Sequence, residues 1–201
     1  MKDKILVVLK FIFALALLPL VVASTQAVQI EVAAFNSGLQ HALFSGCIAY
    51  VALKFFVYDF GHFYTFGQNI LTTAFQFLKP LVNVAPYVLP VYTMLVLLAY
   101  GVVMLMGKMG TFQPFFLFAL AFTFSMHIIL TAQDLYKKDS IPGKSNYFFG
   151  MALVYIADVF FMALMMNGII AGFSFVHFFQ TLAHAAGDIY GMIFKQLFLG
   201  R

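Results

Sequence analysis

The chain has 201 residues, of which 64% are hydrophobic and 9% charged, and its mean hydropathy is +0.99. Soluble domains carry about 25% charged residues, so the polar surface here is too small to coat a globule in water. The chain therefore reads as a single integral-membrane domain, 1–201, with an all-α, polytopic helix-bundle fold. The net charge of +4 is small and its basic residues are dispersed, which excludes nucleic acid as a partner. The lone cysteine, Cys47, excludes an internal disulfide and a CxxC metal site.

The N-terminus opens with Lys2 and Lys4, an apolar run and then the small residues of "VVASTQA", the pattern of a signal peptide. We read it as a first transmembrane helix, Ile5–Ala23. Spanning needs about 20 apolar residues. Four further segments qualify: Ala42–His62, Ala85–Met106, Phe112–Thr131 and Tyr147–Phe173. Between the second and third lies the semi-polar "TFGQNILTTAFQFLKPLVNV", expected as a short helix at the cytoplasmic face or a re-entrant piece. The last stretch, Val176–Leu199, places His177, Thr181, His184, Asp188 and Lys195 on one narrow helical face, with Phe178, Leu182, Ile189, Ile193 and Leu197 on the others. It reads as an amphipathic helix facing a partner or lying in the interface, or as a sixth span. In this reading Glu31 falls in a loop after the first span.

Basic residues orient the chain. With a cytoplasmic N-terminus, Lys2, Lys4, Lys79, Lys137, Lys138 and Lys144 all fall on the cytoplasmic side, while Lys108, Lys195 and Arg201 stand outside. If the last stretch spans, Arg201 returns to the cytoplasm. The expected location is a bacterial inner membrane, multi-pass, with the N-terminus inside.

Few polar residues lie within the spans. Asp158 sits in the middle of the fifth, where an ionised carboxylate costs about 2.5–3.5 kcal/mol to insert. It reads either as a hydrogen-bonded residue joining helices or as part of a polar path. Asn167 is a second polar group in that span. His62 and His127 fall at the cytoplasmic ends of the second and fourth spans, and with Asp158 they form a possible three-ligand zinc set on three different helices. Lys54 and Asp59 read as a pair or an inter-subunit contact. His184 and Asp188 stand one turn apart, a spacing that chelates a metal or marks a partner-facing side.

Three pieces in order resemble the site-2-protease-type integral-membrane zinc metallopeptidases. "FGHFYTFGQ" keeps Phe60, Gly61, His62 and Thr65 of that family's "FGHExTHA" helix. "NVAPYVLPVYT" (Asn83–Thr93) is similar to its "APYxLPLYT" opening, and "FTFSMHIILTAQDLYKKDS" (Phe122–Ser140) to a segment with a helical histidine followed by a QSD-like turn. In HExxH the two histidines hold zinc and the glutamate acts as general base. Here those positions are Phe63 for the glutamate and Phe66 for the second histidine, and phenylalanine neither takes a proton nor binds zinc. Asp139 stands where the QSD ligand would be, in a turn without that order. The resemblance thus implies a pseudo-protease with no catalytic residue and no cofactor, His62, His127, Asp139 and Asp158 being remnant metal positions. The expected function is a scaffold for the transmembrane segment of another membrane subunit within the lipid bilayer. The alternatives are an ion, lipid or small-molecule conduit through Asp158, His127 and Lys54, and a zinc metalloenzyme, with haem as a branch of the latter.

Overall fold

The computed structural model describes residues 2–56, 59–77, 84–107, 109–139 and 145–200. Of the residues used above, Lys79, Lys108, Lys144 and Arg201, and the motif ends Asn83 and Ser140, lie outside them. Among the described residues the chain is helical, without a strand. The helices are α1 (Lys2–Ala33), α2 (Ser37–Phe56), α3 (Gly61–Ala74), α4 (Ala85–Val88), α5 (Val91–Leu105), α6 (Met109–Lys138), α7 (Ser145–Ile169) and α8 (Phe175–Phe194), the last continued by a π-helical turn, Lys195–Leu199. Within α1, α2, α6 and α7, the stretches Ile5–Ala33, Ser37–Phe56, Phe112–Lys138 and Asn146–Ile169 are long and apolar enough to cross a membrane.

Local chemistry moves several expected boundaries. The expected second span, continuous to His62, ends at Phe56, and a separate helix begins at Gly61. The exposed Asp59 accounts for the restart, because its Oδ1 accepts the Gly61 N–H at 2.9 Å. The expected third span is also broken. Pro90 drives Leu89 to φ −99°, ψ 112°, which separates the single turn of α4 from α5. At 15 residues α5 is about 22 Å long, short of the ~30 Å hydrocarbon layer. The first helix, by contrast, runs on to Ala33, so Glu31 is helical and not in a loop.

The chain packs as two compact units. One comprises 1–34, 134–167 and 172–201; the other comprises 35–133 and 168–171. In the first, α1 and α7 run the same way: Lys10 Nζ donates to Asn146 Oδ1 (2.7 Å), and Thr25 and Tyr155 share a hydroxyl bond (2.8 Å). Helix α8 runs back along both. Glu31 pairs with His177 and Ala16 with Tyr190, while Phe160 of α7 packs on Phe179 (centroids 4.5 Å apart). α1 buries Pro19, Ala23, Ala27 and Glu31, a row at four-residue spacing in which the two alanines permit close approach. α8 buries Phe178 and Leu182. The reversal between α7 and α8 needs Gly172 at φ +95°.

In the second unit Tyr50, Tyr64, Met126 and Leu130 form a core against Phe60, Tyr92, Phe122 and Ile129. Helices α2 and α6 cross with Gly46 directly on the Phe118 carbonyl, where a Cβ would overlap the oxygen.

Candidate functional site

Residues 60–68, 84–93 and 122–133, the parts of the three resembling segments that lie in the second unit, pack on one another. Tyr64 of α3 shares a buried hydroxyl bond with Thr131 of α6 (2.9 Å). His127 of α6 places Nε2 3.1 Å from the Tyr87 carbonyl in α4, and its ring lies 6.4 Å from that of Tyr64. The Tyr92 hydroxyl donates to the Phe63 carbonyl, and the Tyr92 ring closes over Gly67.

This packing fixes which way α3 faces. Tyr64, Gly67 and Leu71, at three- and four-residue steps, are buried. His62 is exposed, as are Phe63 (50%) and Phe66 (62%). The side to which the resemblance would assign metal and base is therefore turned outward, and the inward side is filled by a tyrosine. His127 is buried on the opposite side of α3 from His62, so the two histidines do not converge.

The remaining predicted site residues have separate positions. Asp139 is in the first unit, where its Oδ2 accepts the Tyr147 N–H (2.8 Å) and its Oδ1 meets the Asn146 amide (3.5 Å); it caps the start of α7. Asp158 is fully buried in the middle of α7, also in the first unit. Asn167 is exposed at the end of α7, and its Oδ1 accepts the Phe175 N–H (3.1 Å) that opens α8. Lys54 donates to Gln133 Oε1 (2.9 Å), while Asp59 serves the α3 start described above. Among the described residues no three His, Cys, Asp or Glu side chains are grouped to hold a metal.

Helix α8 keeps its polar side outward. Ser174 caps it by accepting the His177 N–H. His177 Nδ1 lies 2.7 Å from Glu31 Oε1, and Thr181 bonds back to the His177 carbonyl. His184 and Asp188 are exposed, and neither has a hydrogen bond among the described residues.

Sequence reasoning did not single out Tyr64, Thr131, Tyr87 or Gln133. With Gly67 and Leu71, Tyr64 makes a row at helical spacing, but Phe63, Phe66 and Ile70 make a second apolar row, and the sequence does not say which of the two is buried. The His127–Tyr87 bond joins residues 40 apart, and no local pattern signals it. No protein-family model, curated protein or solved structure matches the chain.

Proposed function

We propose that this chain is a non-catalytic, pseudo-protease-like membrane subunit. It seats the transmembrane segment of another protein against the outward face of α3, in a bacterial inner membrane with its N-terminus in the cytoplasm. One observation carries the reading: Phe63 and Phe66 occupy the chemical positions of the motif and are turned outward, while Tyr64, Thr131 and His127 close the inward side. On that face His62 stands without the glutamate base and second ligand that the motif uses to activate water. The face offers an apolar surface, extended by Ile70 (42% exposed), of the kind on which an apolar helix packs.

The test is a photo-reactive side chain at Phe66, activated in membranes, with Leu98 (67% exposed) as the control position. Adducts at 66 are expected to map to an apolar segment of about 20 residues in a second polypeptide, with lipid adducts alone at 98. Lipid adducts alone at both positions, or stoichiometric zinc in the purified chain, would sink the reading.

A further inference from the structure

We propose that α8 crosses the membrane beside α1, and that its outward polar seam, centred on His184 and Asp188, is the interface with a second copy of this chain. This concerns the unit that does not contain α3, and it stands whether or not α3 receives a partner.

The crossing follows from two contacts on α1. His177 meets Glu31, and Tyr190 donates to the Ala16 carbonyl at 2.7 Å. The second contact falls three residues before Pro19, in the turn that its ring crowds. Glu31 and Ala16 are separated by about 22 Å of helix, most of a hydrocarbon layer. Both contacts lie within Ile5–Ala33, the stretch of α1 long and apolar enough to cross a membrane, so α8, tied to it at both ends and antiparallel to it, shares its depth. A helix lying in the membrane plane cannot make both contacts. His184 and Asp188 fall between the two ties, beside the middle of α1, and Lys195 returns toward the end that carries Lys10.

Depth gives the seam its meaning. On a soluble helix an exposed histidine and aspartate face water. At the centre of a bilayer they require a polar neighbour, and among the described residues neither has a hydrogen bond. Gln180, His184, Gly187, Asp188, Gly191 and Lys195 follow one another along the seam at steps that keep two helices in register. Beside Gly187 and Gly191 there is nothing within 4 Å of where a Cβ would stand, so another backbone has room to approach closely.

The occupant follows from symmetry and charge. Copies inserted in one orientation present α8 in parallel, and a two-fold axis along the membrane normal sets residue i of one copy near residues i±3 and i±4 of the other. His184 and Asp188 are four apart. Each imidazole therefore reaches the other copy's carboxylate, giving two equivalent bonds and leaving neither group over. Lys195, at the end of the seam, extends to the head groups.

The experiment uses the full chain with Cys47→Ser and single cysteines at Gln180, Gly191 or Leu164, the last exposed on α7, oxidised in native membranes. Covalent homodimer is expected at 180 and 191 and not at 164. Asp188→Ala in an otherwise unaltered chain should shift the detergent-extracted protein from dimer to monomer by light scattering, and the exchange His184→Asp with Asp188→His should restore the dimer. A thiol at Gly200 should react with an impermeant reagent from the same side as one at Lys2. The proposal falls if 180 and 191 give no homodimer, if they link only to a different polypeptide, if 164 links equally, or if thiols at 200 and 2 react from opposite sides.

Discussion

At the scale of single residues, two tyrosines of one core have opposite accounts. The Tyr64 hydroxyl is bonded to Thr131, which is fully buried. Tyr64→Phe strands the threonine, with partial rescue from its own helix backbone, and should lower stability by about 1 kcal/mol. The Tyr50 hydroxyl is buried with no hydrogen bond among the described residues. Tyr50→Phe keeps the edge-on contact with Phe122 (centroids 5.5 Å) and removes an unsatisfied group, so it should be neutral or stabilising. Thermal unfolding of the two variants in one detergent checks both, and equal losses would contradict the assignment. His62→Ala should shift the same midpoint little, since exposed positions away from special features change stability by about 0.5 kcal/mol or less.

At the scale of elements, the α2–α6 crossing depends on a missing side chain. Gly46→Ala drives a methyl into the Phe118 carbonyl oxygen and onto Ala121. Backbone cannot rotate aside, so the helices must part, at a cost of about 1–3 kcal/mol. Gly150→Ala, where a Cβ meets nothing within 4 Å, should be neutral or better. The comparison is read from folded yield and midpoint, and a neutral Gly46→Ala would show that the crossing is looser. The elements also divide what was legible in the sequence from what was not. Apolar run length found α1, α2, α6 and α7, because burial in lipid is written in composition. It failed at Asp59 and Pro90, where one side-chain acceptor and one ring interrupt apolar runs whose mean hydropathy does not register the change. The polar side of α8 was legible from periodicity, but its tie to Glu31 was not. That contact joins residues 146 apart, and the glutamate had been assigned to a loop.

At the scale of the whole chain, the four long apolar helices imply that no aqueous wash releases the protein. Alkaline carbonate should leave it in the membrane pellet, and release into the supernatant would refute a multi-pass arrangement. The candidate site was half legible. That phenylalanines, Phe63 and Phe66, stand where the resemblance would put a glutamate and a second histidine could be read from the sequence. The outward turn of that side could not, because it is set by Tyr64 and by partners dozens of residues away.

The turn between α7 and α8 has a consequence for biogenesis. Ile169 offers its carbonyl to both the Gln113 amide (2.8 Å) and the Tyr100 hydroxyl (3.2 Å), Asn167 reaches over to the first N–H of α8, and "IAGFS", residues 170–174, holds no charge. Nothing charged in that link resists translocation, and the first N–H of α8 takes its acceptor from Asn167 of α7. The two should therefore leave the insertion machinery as one hairpin. A nascent chain stopped after Ile170 is expected to be degraded in pulse-chase labelling, while one extended through Leu199 persists.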